Sequence, residues 1–279
     1  MSLLISPKEF ITKMQDNMQR LDKRINNYII DPNVDNIHDI RTSIRRVDAS
    51  FRSLPKKIRK RDKICDYITT SKQLFKINST IRDCDIICEE LERHALDSVI
   101  YSKLTRSLKR EKDAKIKKAK KIALSLNELS VPRVDEGEIC QKKLQQRFNK
   151  VVTKIIQKIE LSFPIVITNS NKIEELHEMR KNCKKLRYML EILPDDKKEI
   201  PKTIIELEKL QDMLGSIHDN DIVIAYLKGA RVPKADQSIL KNEFLERNHK
   251  YEEFVQFCKN DLSNSKQNFF NDMISFINV

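Results

Sequence analysis

Apolar residues return along this chain at intervals of three and four almost from end to end, the period of an amphipathic helix rather than the alternation of a strand. At 6–9, "SPKE" offers Ser6 as a cap, Pro7 at the first helical position and Glu9 to close a capping box. The pattern carries that helix to about Tyr28, and "DPNVDN" then turns the chain. A second helix is expected from about Asp35, with Asp35 as its cap, to Leu54, where Pro55 stops it. Helical periodicity continues over about 57–77, 80–98 and 101–128. "ELSVPRVDEGE" breaks it and divides the chain into halves of 1–132 and 133–279. Beyond it, helices are expected at about 138–161, 171–193, 199–214, 217–229, 235–260 and 262–277, joined by "FPIVITNSN", "LPDD" and "GARVPK". The fold class is all-α.

One segment of 37–55, "IHDIRTSIRRVDASFRSLP", carries more than packing. At about 100° per residue, Arg41, Arg45 and Arg52 fall within roughly 60° of His38. Ile37, Ile40, Ile44, Val47, Phe51 and Leu54 gather on a separate arc, centred about 120° or more away, as in a helix packed on a core. An ordinary solvated face mixes both signs of charge, because like charges at spacings of three and four repel. Here His38, Arg41 and Arg45 repel one another, with Asp39 and Asp48 off the centre of the row. A self-repelling row implies an anion.

The segment is written twice. "LHEMRKNCKKLRYMLEILP" at 176–194 aligns with it without a gap, setting His177 under His38, Arg180 under Arg41, Lys184 and Lys185 under Arg45 and Arg46, and Pro194 under Pro55. Apolar positions match as well, Ile44 with Cys183 and Phe51 with Leu190 among them. "STIRDCDIICEEL" at 79–91 pairs in the same way with "GSIHDNDIVIAYL" at 215–227, placing Asp83 and Asp85 over Asp219 and Asp221. The expected architecture is a tandem repeat of two antiparallel four-helix-type bundles, related by a pseudo-twofold axis and sharing a basic central groove.

Composition narrows the chemistry. A formal charge of +13 asks for an acidic partner. The chain has three glycines and neither a Walker A nor a GxGxxG pattern, which disfavours the common nucleotide enzymes, and it has no tryptophan to build a stacking platform for single strands. No apolar stretch approaches a membrane span and the opening residues lack the length of a secretory signal, so a cytoplasmic location without membrane insertion is expected. The six cysteines show no CxxC pair, and Cys183 sits where a small core residue belongs. Cys84, Cys88 and His94 have a spacing that only weakly suggests a metal; no metal or cofactor is expected.

"HDIRTSIRR" and "HEMRKNCKKLRY", each followed in its own half by "RDCD" or "HDND", resemble the CHAD family, the conserved histidine α-helical domain. The resemblance covers nearly the whole chain. It implies a tandem of four-helix bundles around a basic cavity that binds inorganic polyphosphate, without known catalysis and with association to polyphosphate granules in some members. The tunnel domain often joined to such chains is not expected, since "EGEIC" at 136–140 has Cys140 where its ExExK signature needs lysine. The family's first motif falls on His38, Arg41, Arg45 and Arg46, and its second on His177, Arg180, Lys184, Lys185 and Arg187. Arg52 from the row and Lys181 beside Arg180 complete the candidate polyphosphate-binding set. Arginine forks onto two oxygens where lysine is a point charge, so the first half is expected to grip harder.

Lys103, Arg106, Arg110, Lys117 and Lys121 share one face of a later helix, and Lys143, Arg147, Lys150 and Lys154 share another; each face reads equally as ligand surface or as solvated exterior. The aspartates of "RDCD" and "HDND" read as caps or partners of basic side chains. Nucleic acid or another polyanion is the alternative ligand, without a reading helix or stacking aromatics to favour it. Histidine phosphate chemistry is the enzyme alternative, either a phosphohydrolase using the His-Asp dipeptides at 38/39 and 218/219 or a phosphotransfer bundle using His38. It is weak, because helical neighbours such as His38 and Asp39 point about 100° apart. A scaffold role leaves the duplicated histidine unexplained, and docking of a separate polyphosphate-metabolising protein stays open.

Overall fold

The computed structural model describes residues 4–94, 99–193, 199–230 and 238–260. Helices account for nearly all of them: α1 Pro7–Ile30, α2 Val34–Ser53, the single turn α3 Lys56–Arg59, α4 Asp62–His94, α5 Val99–Glu128, α6 Gln141–Thr168, α7 Ile173–Leu190, α8 Glu199–Gly229 and α9 Ser238–Asn260. A short 3₁₀ turn at Glu136–Glu138 leads into α6, and no strand occurs among the described residues. The helix expected over 262–277 lies outside them.

Local chemistry explains where the elements begin and run. Ser6 caps α1 by accepting from the Glu9 amide, with Pro7 in the first turn. Asn33, rather than Asp35, caps α2, its side chain accepting from the Asn36 amide at 2.8 Å. Two expected breaks do not occur. Polar residues near 78–80 suggested an interruption, yet Ser79 Oγ donates to the Phe75 carbonyl at 2.9 Å and Thr80 Oγ1 to the Ile77 carbonyl at 2.8 Å. Buried Asn78 is held by the Tyr28 hydroxyl at 2.8 Å, so α4 runs straight through. In α8, Ser216 Oγ likewise donates to the Met213 carbonyl at 2.8 Å, carrying the helix past Gly215. α6 passes Pro164 and reaches Thr168, anchored by buried Phe163 and Val166 and by the Tyr251 hydroxyl of α9, which donates to the Val166 carbonyl at 2.9 Å.

In the first half α1 packs on α2, α2 on α4, α4 on α5 and α5 back on α1; in the second, α6 packs on α7, α7 on α8 and α8 on α9. The halves meet where α2 packs against α7 and α6, and α4 against α8. One continuous apolar core runs through both, from Phe10 and Tyr28 through Phe51 to Met179, Cys183 and Phe254. Cys84 and Cys88 belong to a smaller buried cluster with Leu91, Tyr101 and Val223. α2, α4, α7 and α8 are thereby the inner helices. Apolar residues of α4 and α8 meet across the junction in the smaller cluster, and the polar faces of the four inner helices are left to look into the space beside it.

Candidate anion-binding cavity

Between these four helices lies a cavity of about 970 Å³. α2 lines it with His38, Arg41 and Arg45, and α7 with His177, Arg180, Lys181 and Lys184. The two basic rows thus face one space, and both motif histidines look into it. α4 adds Phe75, Arg82 and Asp83, and α8 adds Gly215, His218 and Asp219.

The cavity is electrostatically unsatisfied. Nε of Arg41 and Nε of Arg180 are both buried without a hydrogen-bond partner. Burial, reinforced by Arg45, lowers the Arg41 guanidinium to about 10, still charged at neutral pH; burial lowers Arg180 too, against the opposing pull of Asp219. Lys184 is affected most. Burial and then Arg180, Arg45 and Arg41 bring its ammonium down to about 6, so that at neutral pH it sits largely uncharged. His38 and His177 fall below the usual imidazole value through burial and then the surrounding cations, chiefly Arg41 and Arg45 for the first and Lys181 and Arg180 for the second. His218 is driven to about 3 by burial, Arg180 and His177. It sits against His177, ring centroids 4.3 Å apart and Nδ1 to Nδ1 at 3.3 Å, where one neutral ring donates to the other. Burial raises Asp83 and Asp219, opposed most by Arg41 and Arg180 respectively.

The repeated aspartates divide their work. Asp83 and Asp219 face the cavity, whereas Asp85 pairs with Lys112 at 2.5 Å and Asp221 with Arg247 at 2.5 Å, tying α4 to α5 and α8 to α9. Arg247 also donates to the Ser170 carbonyl at 2.8 Å.

Other candidate residues are placed elsewhere. Arg52 and Lys185 line a second, smaller pocket beside the cavity, which shares Arg45, Lys181 and Lys184 with it. Arg52 is additionally held by Asp48 at 2.5 Å. Arg46 and Arg187 line neither. Arg46 pairs with Glu191 at 2.9 Å and Arg187 with Glu208 at 2.5 Å, both guanidiniums lying over the Tyr188 ring. Lys103, Arg106, Arg110, Lys117, Lys121, Lys143, Lys150 and Lys154 are exposed and line neither space, while Arg147 donates to the Arg52 carbonyl at 3.0 Å. Arg82 and Gly215 are not among the candidates the sequence offers, and His218 enters there only through the His-Asp dipeptide at 218/219. The second repeated segment carried the signal, since it aligns Arg82 with His218.

Gly215 lies inside α8 beside Arg180 of α7. A Cβ at this position would stand 3.5 Å from Arg180 Nε, an ordinary contact, so the approach of Arg180 does not require glycine. Gly215→Ala is expected to stabilise the protein by about 1 kcal/mol, the helix-propensity difference, as read from the denaturant midpoint.

A family model described as the CHAD domain matches residues 11–228. The chain belongs to the CHAD domain family. Solved structures agree on the fold of this CHAD domain. The crystal structure of the CHAD domain from the plant Ricinus communis superposes over 99% of this chain and 93% of its own, with a TM-score of 0.57 and 11% identity. PptA from Streptomyces chartreusis superposes over 97% of this chain and 99% of its own, with a TM-score of 0.55 and 12% identity. No curated protein matches the CHAD domain described here by sequence. None of its described helices is long and apolar enough to cross a membrane.

Proposed function

We propose that the protein binds inorganic polyphosphate in the central cavity and does not transform it. The observation that carries this reading is the convergence of Arg41, Arg45, Arg82, Arg180 and Lys184 on one space, with two guanidinium Nε atoms left without partners. Such an arrangement costs stability when empty, and a phosphate chain supplies what it lacks. Polyphosphate has no bases to read and about one charge per unit, so its receptor needs density of cations held on rigid helices. A slim unbranched chain enters a cavity of about 970 Å³, which is too small for a duplex. The imidazoles of His38 and His177 add donors that strengthen on acidification. A granule-associated, intracellular setting fits this ligand.

Polyphosphate binding releases condensed counterions. If all five of these cations engage phosphates, log K should fall against log salt with a slope of about −3 to −4, near 0.7 for each phosphate neutralised on a flexible strand. Competition decides the ligand class: long polyphosphate displaces RNA or DNA at equal phosphate concentration, and the reverse order overturns the assignment. Release of free phosphate on incubation with divalent metals, abolished by His38→Ala, would refute the non-catalytic part.

Asp83 and Asp219 work against the ligand and for the empty fold. Replacing both with asparagine removes two negative charges from the polyanion's surroundings and strips Arg41 and Arg180 of their compensation. Polyphosphate affinity is expected to rise about tenfold while the melting temperature falls, a pairing that calorimetry and a thermal melt read separately.

A further inference from the structure

The smaller pocket, about 320 Å³, has a composition that a bare phosphate chain does not use. Its floor is Ile44, Ala49, Phe75, Tyr188 and Met189, from α2, α4 and α7, and its wall is chiefly apolar. Arg52, Lys72 and Lys185 stand around it, their aliphatic stems adding to that wall. Arg45, Phe75, Lys181 and Lys184 line both this pocket and the basic cavity, so the two are contiguous. Phosphate contacts neither need nor reward an apolar floor. A ligand filling both spaces carries a compact apolar group at the end of a phosphate chain.

We propose that this pocket holds the base of a nucleoside polyphosphate whose phosphates occupy the basic cavity. The inference rests on the cavity taking phosphates and adds a second class of ligand to it. The volume suits a single nucleoside-sized group. The Arg45 guanidinium lies over the Phe75 ring at 4.9 Å, so a base entering beside them meets the outer face of a guanidinium plane backed by an aromatic ring, a surface on which bases stack. Asp48 lines the pocket and is fixed by Arg52 at 2.5 Å and Lys72 at 3.5 Å, which presents a carboxylate acceptor to an exocyclic amino group. The rim stays cationic, Asp48 offsetting only one of the charges of Arg52, Lys72 and Lys185, so it is the apolar lining that distinguishes a base from another phosphate here. The glycine-rich loop that many nucleotide sites use is unnecessary here, because the cations of α2 and α7 hold the phosphates.

The test compares ATP with inorganic tripolyphosphate by calorimetry in the absence of divalent metal. Both carry three phosphates, and the inorganic chain has the larger charge, so electrostatics alone favour it. The base is expected to reverse that order and make ATP about tenfold tighter, within what stacking of one base returns. Ala49→Leu, which fills the pocket without touching the cavity, is expected to erase the preference and leave tripolyphosphate affinity unchanged. ATP no tighter than tripolyphosphate in the wild type overturns the proposal and leaves the polyphosphate reading standing. So does an ATP preference that survives in folded Ala49→Leu protein, since the base then sits elsewhere. Binding of neither compound, nor of long polyphosphate, removes the phosphate reading of the cavity and this proposal with it.

Discussion

Replacing Arg41 and Arg180 together with methionine is expected to weaken polyphosphate binding by about two to four orders of magnitude. A hydrogen bond to a charged group contributes about 1.5–3 kcal/mol, two guanidiniums therefore about 3–6 kcal/mol, and each tenfold in affinity corresponds to about 1.4 kcal/mol. These two side chains have the strongest claim to the effect because they hold matching positions in the two facing rows, both line the cavity, and each is lowered by burial and by a cation of the opposite row, which a polyanion would offset. Methionine keeps an unbranched stem without placing a new polar group in the cavity. The apolar faces of α2 and α7, with Ile40 and Ile44 on one and Met179 and Cys183 on the other, are untouched. Asp83 and Asp219 lose their nearest cations and take up protons more readily. Helix content by circular dichroism should therefore match the wild type while calorimetric binding collapses. A double variant that binds within threefold of wild type contradicts the assignment.

The second large effect is on pH. Lys184 is faced by Arg41 and Arg45 from α2, by Arg180 and Arg187 on its own helix, and by His218 and Asp219 from α8. With its ammonium at about 6 in the free protein, it is mostly neutral at pH 7. A phosphate beside it favours the charged form and raises that value, so binding takes up a proton throughout the interval between the free and bound values. The sign follows: affinity falls as pH rises above about 6, by as much as tenfold per pH unit, or about a hundredfold between pH 6.5 and 8.5. His38 and His177, also lowered in the free protein, extend the gain below pH 6.5. A long chain's interior phosphates remain ionised across this range and do not contribute. Lys184→Arg keeps a permanent charge and should flatten the profile above neutrality, binding more tightly than wild type at pH 8.5. A wild-type affinity that is level from pH 6.5 to 8.5 contradicts the buried-lysine account.

The helical class and both basic rows are legible in the sequence because they rest on periodicity, and periodicity is local. His38, Arg41 and Arg45 recur at three and four residues, and so do His177, Arg180 and Lys184; packing their apolar arcs leaves the rows only the junction to face. Two kinds of side-chain pairing are not legible from periodicity. Asn78, Ser79 and Ser216 look like helix breakers until their side-chain bonds to Tyr28, Phe75 and Met213 are known, which is why α4 and α8 each read as two helices. Arg46 and Arg187 look like ligand residues until Glu191 and Glu208 are found beside them, the first pair joining positions 145 apart in the chain. The exposed lysines of α5 have the same composition as the cavity and a different place in the fold. Sequence spacing alone does not separate a converging row from a solvated one.

Histidine side-chain NMR during titration with long-chain polyphosphate tests the central claim most directly. His38, His177 and His218 line the cavity, whereas His249 is exposed on α9 beside Glu253, which makes it an internal reference. The account predicts that the three cavity imidazoles shift together and saturate at the calorimetric stoichiometry, with His249 unmoved. Tight polyphosphate binding that leaves those three signals where they were would place the ligand on the outer surface and contradict it.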